Sequence, residues 1–217
     1  MRSNQLLEKE NDMQTVKTKF FEYGLREITY LKKADKTLGM AIDRLGKVER
    51  EIIPDLFQAL IFAIVGQQIS IKAAHTIWQR MQERFGEITA ENLLKISITD
   101  VQKCGMTTRK AGYINSISNE IMQGNFILNE LYELPDKEVI KRLSSMPGIG
   151  KWTAEMLLIN SMERPDIVSY GDIAIRRGIM KLYSLSELTK EQFNEYKSIY
   201  SPYGSVASIY LWKISFQ

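Results

Sequence analysis

Cysteine and histidine are almost absent from this chain of 217 residues, which contains one of each, Cys104 and His75. A single thiol forms no disulfide within the chain. It provides neither a cysteine-rich zinc site nor an iron–sulfur cluster with four cysteine ligands. A single imidazole argues equally against a histidine-rich metal site. The sequence therefore predicts chemistry that requires no metal and no cofactor.

Long apolar runs and a strong charge of one sign are lacking as well. No stretch is apolar over the length that a membrane span needs, and the leading segment MRSNQLLEKENDMQ is too polar for a signal peptide. These absences predict an intracellular protein without a membrane partner, cytoplasmic or, in a eukaryote, nuclear. The net charge of +3 is too small to identify a nucleic-acid partner. A DNA-binding surface would therefore have to be a local patch.

Helical periodicity is what the sequence has in abundance. Apolar residues recur on one helical face over residues 71–85 and again over residues 110–122. A last helix is predicted over residues 205–215. Strand-like alternation occurs only in short pieces, so we predict an all-α fold of about ten helices. Residues 1–18 are predicted to be a polar tail or a loose leading helix.

A glycine-rich connection, PGIG at residues 147–150, joins two of the predicted helices, over residues 136–144 and 152–160. Both glycines allow a positive φ or the close approach of another backbone. The N–H groups and the dipole at the start of the second helix favour an anion, and Lys151 adds a cation there. The pattern predicts a phosphate-binding hairpin that reads no base sequence. An ordinary connection between two antiparallel helices is the alternative.

The hairpin and three further segments resemble one family. Residues 143–156, LSSMPGIGKWTAEM, resemble the hairpin of the HhH-GPD DNA glycosylases, in which a leucine stands where this chain has Met146. In the same order along the chain, residues 56–70 resemble the family's GQQxS segment, residues 110–114 its RKA helix, and residues 201–213 its C-terminal helix. By these matches the chain resembles the 3-methyladenine DNA glycosylase II type.

This resemblance implies a single glycosylase domain over residues 19–217, made of two helical subdomains with an active-site cleft between them. Residues 54–164, with the hairpin, would form one subdomain, and residues 19–53 together with 165–217 the other. The implied partner is double-stranded DNA that contains a damaged base, bound by a monomer of the chain.

The resemblance also implies which residues contact DNA. The implied hairpin contacts are Pro147, Gly148, Ile149, Gly150, Lys151 and Thr153. Gln68 matches the wedge that fills the space left by the flipped base, although an exposed polar residue at a helix end is the alternative. The family binds a monovalent cation through backbone carbonyls, here those of Ser144, Met146 and Ile149, but the chemistry does not require that ion. Gly204 stands where relatives often have arginine.

Asp172 matches the catalytic aspartate of the family, which follows the hairpin after a short loop. Cleavage of a glycosidic bond leaves positive charge of oxocarbenium type on the sugar. A carboxylate beside C1′ stabilises that charge and orients or deprotonates the attacking water. The alternative is structural, because Ser169 and Asp172 have the spacing of a capping box at the start of a helix.

The residue after Lys151 decides between two kinds of glycosylase. Bifunctional members have a lysine nucleophile where this chain has Trp152, and Lys151 lies about 100° around the helix from that position. The resemblance therefore implies a monofunctional enzyme that excises alkylated purines such as 3-methyladenine or 7-methylguanine. Trp152, Met156 and Trp212 would line the base pocket, where an indole face attracts a cationic base by about 0.5–2 kcal/mol. A core role for the tryptophans is the alternative.

Two other functions remain open at this stage. One is a glycosylase for oxidised or deaminated bases, and the other is a non-catalytic helix-hairpin-helix protein that only binds DNA. Asp172 argues against the second of these, because a protein that only holds DNA needs no carboxylate at that position.

Overall fold

The computed structural model describes residues 16–217, so most of the polar segment predicted for residues 1–18 lies outside the described residues. The described part contains twelve α-helices, one 3-10 helix over Asn129–Glu133 and a pair of two-residue antiparallel strands. The prediction of an all-α fold is confirmed. None of these helices is both long enough and apolar enough to cross a bilayer. The elements in chain order are β1 (Lys19–Phe20), α1 (Leu25–Ala34), α2 (Lys36–Leu45), β2 (Glu51–Ile52), α3 (Leu56–Gly66), α4 (Ile71–Phe85), α5 (Ala90–Leu94), α6 (Ile98–Gln102), α7 (Thr108–Met122), α8 (Asp136–Ser144), α9 (Lys151–Asn160), α10 (Ile173–Leu182), α11 (Lys190–Tyr200) and α12 (Gly204–Ser215).

The described chain divides into two compact units. The first contains Asp55–Glu133 and Ser145–Ile149, and the second contains Thr18–Pro54, Leu134–Ser144 and Gly150–Gln217. The division expected from the sequence differs from this at α8 and α9, which belong to the second unit.

Hydrogen bonds explain why these two helices group with the second unit. The Ile53 N–H after β2 donates to the carbonyl of Asn160 at the end of α9, at 2.9 Å. The Arg164 guanidinium donates to the carbonyl of Leu134 just before α8, at 3.0 Å. These bonds attach α8 and α9 to other residues of the second unit.

The first unit has its core around α3, in which Gln58 is the one polar side chain, and around the inner faces of α4 and α7. Burying such faces supplies most of the stability of short helices. The middle of the predicted apolar face of α4 is buried, whereas Phe85 at its end is half-buried and Ile71, its first residue, is 72% exposed. The buried residues of these three helices include Leu60, Ile61, Ile64, Val65, Ala74, Ile77, Trp78, Met81, Ala111, Ile114 and Ile117.

The second unit has its core around α12, which is buried along almost its whole length. Helix α10 packs directly on it, and Gly178 makes the close approach possible. A Cβ atom at Gly178 would lie 2.2 Å from the carbonyl oxygen of Leu211. This contact fixes the position of α10, and with it the residue that precedes the helix, Asp172.

Candidate active site

Asp172 is the N-cap of α10, and it is 7% exposed. Its Oδ1 accepts a hydrogen bond from the backbone N–H of Ile175 at 2.9 Å, which satisfies one of the N–H groups that a helix start leaves without a partner. The helix dipole also favours a carboxylate at this position. The predicted cap at Asp172 is therefore correct, but the predicted capping box is wrong. Ser169 lies outside the helix, and its hydroxyl donates to the carboxylate of Glu155 instead.

Two indole groups donate hydrogen bonds to the same carboxylate. Trp152 Nε1 lies 3.0 Å from Asp172 Oδ2, and Trp212 Nε1 lies 3.2 Å from Asp172 Oδ1. With the Ile175 N–H, these donors come from α9, α10 and α12. An ionised carboxylate can only accept hydrogen bonds, and bonds to a charged acceptor are stronger than neutral ones. Three N–H donors from three helices therefore hold the Asp172 carboxylate in one orientation.

The two tryptophans differ in exposure and in what covers their rings. Trp152 is 48% exposed, whereas Trp212 is 9% exposed. The Arg50 guanidinium lies over the Trp212 ring, with Cζ 4.4 Å from the ring centroid, and Arg50 Nε donates to Asn160 Oδ1 at 3.0 Å. One face of Trp212 is thus occupied by a cation, while much of Trp152 remains open to solvent.

Arg50 also brings a positive charge close to the candidate catalytic group. Burial lowers the pKa of Arg50, and the charge of Asp172 opposes that shift. An arginine stays protonated even so. Arg50 was not among the site residues predicted from the sequence. It lies in a run of alternating charges before β2, and no motif distinguishes it from a solvated surface residue.

The loop that leads to Asp172 is anchored on α12 by two buried serines. Ser205 Oγ accepts from the N–H of Ile167 at 3.0 Å, and Ser208 Oγ donates to the carbonyl of Ile167 at 2.8 Å. Neither serine has an exposed surface. These bonds satisfy polar groups in a buried loop, so they fix the approach of the chain to Asp172.

Gly204, where relatives often have arginine, has no room for a side chain. A Cβ atom there would lie 2.7 Å from Val168 Cγ2 and 2.8 Å from Asp166 Oδ1. The N–H of Gly204 donates to the same Asp166 oxygen at 3.0 Å. Glycine in place of arginine at this position therefore goes together with the close packing of Val168 and Asp166 against residue 204.

The turn of the hairpin depends on Gly148. Its φ is +82°, and a Cβ atom there would lie 2.4 Å from Cδ2 of Tyr113. Gly150 is the N-cap of α9 and makes no side-chain cap bond, and no atom of the described residues lies within 4 Å of a Cβ atom built on it. The first N–H groups of α9 therefore have no side-chain cap, which is the state that an anion-binding helix start requires.

The other predicted hairpin residues differ in exposure. The Lys151 side chain is 78% exposed, with its ammonium 3.8 Å from Glu155 Oε1. Pro147 is half-buried, whereas Ile149 and Thr153 are buried. Contacts of Ile149 and Thr153 with a phosphate would have to use their backbone atoms.

Two more predicted site residues are Met156 and Gln68. Met156, predicted for the base pocket, is half-buried one turn after Trp152 on α9. Gln68, the predicted wedge, is exposed just beyond α3, with a φ of +58°. The roles assigned to both stay predictions.

Comparison with known proteins agrees with this combination of an all-α fold, a helix-hairpin-helix motif and a carboxylate at a helix start. The family model described as "HhH-GPD superfamily base excision DNA repair protein" matches residues 61–201. The chain therefore belongs to the HhH-GPD superfamily of base excision DNA repair proteins.

Individual relatives of this chain are named DNA-3-methyladenine glycosylase or glycosidase. The chain is 34% identical over 164 residues to DNA-3-methyladenine glycosylase 1 of Schizosaccharomyces pombe, a match that covers 73% of this chain and 72% of the relative. A crystal structure of a DNA-3-methyladenine glycosidase from Bacillus halodurans is 32% identical, with a TM-score of 0.80 and 92% of each chain covered. The structure of the S. pombe enzyme in complex with abasic DNA has a TM-score of 0.76 at 29% identity, covering 87% of this chain and 95% of that one. The match covers 72%, 64% and 58% of the length of three curated relatives, which are the S. pombe enzyme and two proteins of Bacillus subtilis.

Proposed function

We propose that this protein is a monofunctional DNA glycosylase that flips alkylated purines, of the 3-methyladenine and 7-methylguanine type, out of duplex DNA and hydrolyses their glycosidic bond in base excision repair. The observation that carries the proposal is the Asp172 carboxylate, held between the N–H groups of Trp152 and Trp212 at the start of α10. The relatives named DNA-3-methyladenine glycosylase support the substrate class.

The chemistry assigned to Asp172 follows from what the bond cleavage requires. The C1′–N bond breaks with its electron pair leaving on the base, and the sugar becomes an oxocarbenium-like cation. The fixed negative charge of Asp172 stabilises that cation. Water then attacks C1′, and its proton passes to the carboxylate or to solvent. A preorganised charge of this kind is worth about 3–4 kcal/mol of barrier.

The choice of base is assigned mainly to Trp152. An alkylated purine with a methylated ring nitrogen carries positive charge and leaves as a neutral molecule, so it needs little proton donation. The exposed indole of Trp152 offers a surface for such a cation. Trp212 offers less, because Arg50 already covers one face of its ring. Met156 would contribute an adaptable apolar contact one turn further along α9.

DNA binding is assigned to the hairpin turn and the start of α9. The uncapped N–H groups after Gly150 and the exposed Lys151 ammonium would contact phosphates, and Gln68 would fill the space left by the flipped base. Peptide carbonyls of the turn suit a monovalent cation, since the Met146 carbonyl accepts one bond, from the Ile149 N–H, and keeps a second lone pair. Such an ion would support the turn and take no part in the chemistry.

A lyase step is not expected. The position at which bifunctional relatives have their lysine is Trp152, whose N–H is directed to Asp172. The neighbouring Lys151 has its ammonium 3.8 Å from Glu155 Oε1. Without an amine at the reacting carbon no Schiff base forms, so the product is an abasic site.

A competition experiment tests the proposed function. One duplex carries 7-methylguanine and uracil at separate positions, and release of each base is followed with time. We expect faster release of the methylguanine, and no covalent trapping of the enzyme on the DNA by borohydride. Faster release of uracil would favour the second candidate, a glycosylase for deaminated bases. Trapping that is lost in Lys151→Ala would contradict the monofunctional assignment.

A further inference from the structure

The end of α3 is held by a lysine from α7. Lys110 Nζ lies 2.9 Å from the carbonyl oxygen of Val65 and 2.6 Å from that of Gln67. Both carbonyls belong to the end of the helix, where the last C=O groups have no partner within the helix. A single ammonium therefore ties together the last turn of α3 and the residue immediately before Gln68.

The same turn is linked to the hairpin. The side-chain amide of Gln67 donates to the carbonyl of Gly148 at 2.8 Å. Tyr113, one turn after Lys110 on α7, lies against Gly148, and the Arg109 guanidinium lies 5.5 Å from the centre of the Tyr113 ring. The first turns of α7 thus support the glycine turn of the hairpin as well as the end of α3.

Gln68 is held in a conformation that its own sequence does not favour. It is a non-glycine residue with a φ of +58°, and it is exposed. Residues other than glycine occupy the left-handed region at a cost, of order 1–3 kcal/mol for a strained conformation, and persist there only where the surroundings hold them. The side-chain contacts that hold this turn are the two bonds from Lys110 and the Gln67 amide bond, and a backbone bond from the Ile69 N–H to the Gly66 carbonyl adds to them.

We infer that Lys110 and Gln67 are positioning residues for nucleotide flipping, which hold Gln68 projecting toward the duplex and fix it relative to the phosphate-binding turn at Gly148. This inference rests on the proposed function, because it concerns how the enzyme opens its substrate. Lys110 has no role in cleavage itself. It acts through Gln68, so its effect should appear only where a base must be extruded from a paired stack.

Single-turnover excision on two substrates tests the inference. One is a duplex in which 7-methylguanine is paired with cytosine, and the other carries the same base unpaired in a bulge, where extrusion costs less. Lys110→Met keeps the length of the side chain and removes the ammonium, and Gln67→Leu removes the amide bond to Gly148. We expect each variant to excise the base from the paired site about tenfold more slowly, because each loses a charged or tightly held hydrogen bond. Excision from the bulge should change little.

A double variant separates positioning from a general weakening of the fold. If Lys110 acts through Gln68, then Lys110→Met combined with Gln68→Ala should be no slower on the paired duplex than Gln68→Ala alone. Lys95→Met is the matched control. It removes one positive charge from an exposed side chain that pairs with Glu91 in the same unit, and should leave both rates unchanged. Additive losses, or equal losses on paired and bulged substrates, would overturn the inference.

A second measurement keeps the two proposals distinguishable. Fluorescence of 2-aminopurine placed beside a stable abasic analogue reports unstacking of the duplex without any base release. Wild-type protein should raise this fluorescence, and Lys110→Met and Gln67→Leu should raise it less at saturating protein. If the wild type excises no methylated base but this pattern holds, the proposed substrate class fails and the positioning role stands. Equal fluorescence for all variants would contradict the positioning role.

Discussion

Asp172 combines two roles that the sequence presents as alternatives. An ionised carboxylate has about four lone-pair sites, and here three N–H groups occupy them, from Ile175, Trp152 and Trp212. Capping the helix therefore leaves the carboxylate available for chemistry, because one lone-pair site remains for a water or for the charge that develops at C1′. The cap fixes the carboxylate in position, which is what electrostatic catalysis requires of it.

Trp152 likewise has two roles, as a hydrogen-bond donor and as a stacking surface. Trp152→Phe keeps an aromatic face but removes the bond to Asp172 Oδ2, whereas Trp152→Ala removes both. We expect Trp152→Phe to lower kcat on 7-methylguanine by about tenfold, the value of a hydrogen bond to a charged group, with a smaller effect on KM. Trp152→Ala should also raise KM, since cation–π attraction to the base is lost.

The matched control for this pair is Trp78, which is 1% exposed on α4 and whose Nε1 has no acceptor among the described residues. Trp78→Phe should lower the melting temperature and leave kcat and KM unchanged. Equal kcat values for wild type and Trp152→Phe would mean that the indole N–H does not orient the carboxylate.

At the scale of elements, the hairpin contains two glycines with different reasons for being glycine. Gly148 has a positive φ and lies against Tyr113, whereas Gly150 has a φ of −84° and no described residue near its Cβ position. Gly148→Ala should therefore destabilise the fold by more than about 1 kcal/mol, the cost of forcing a side chain into a strained conformation. Gly150→Ala should cost less, about 0.5 kcal/mol, because alanine is a weaker N-cap than glycine but neither φ nor a neighbouring side chain opposes its methyl group.

Thermal unfolding and DNA binding measured on the same two variants check this difference. Gly150→Ala should keep a near-normal melting temperature but bind undamaged duplexes of any sequence more weakly, because its methyl group intrudes where phosphate contacts are expected. Gly148→Ala should lower the melting temperature. Weakened binding limited to one base sequence in Gly150→Ala would contradict the phosphate-binding assignment.

Sequence patterns were sufficient to predict some of the long helices, whereas no bounds were predicted for α1, α2, α3, α10 and α11. The predicted segments over residues 71–85 and 110–122 agree closely with α4 and α7, because an apolar face recurs with the helical period along both. Helices α5 and α6, of five residues each, are too short to show a period, so the predicted number of helices was too low.

The site was only partly predictable, for a physical reason. Asp172 and Trp152 could be located because motif spacing is local in sequence. The Arg50 contact with Trp212 and the bonds from both indoles to one carboxylate depend on side-chain directions that tertiary packing sets. The same holds for Gly178, whose need for glycine follows from the carbonyl of Leu211 on a different helix.

At the scale of the whole molecule, the net charge of +3 is modest for a protein that binds DNA. DNA binding is assigned to a helix start, a glycine turn and one exposed lysine, which together need no extended basic surface. The two units contribute different parts. The first contains Gln68 and the turn at Gly148, and the second contains Asp172 with both indoles. Extrusion of the base and cleavage of its bond are thus assigned to separate sets of residues.

The central claim is that Asp172 performs the chemistry, and single-turnover base release by Asp172→Asn tests it most directly. Asparagine is as good an N-cap as aspartate, so α10 should keep its start while the negative charge is lost. Release of 7-methylguanine from duplex DNA should fall by at least about a hundredfold, the usual effect of removing one preorganised electrostatic group, while affinity for the same DNA stays close to that of the wild type. If Asp172→Asn released 7-methylguanine at the wild-type rate, Asp172 would be only a helix cap and its catalytic role would be contradicted.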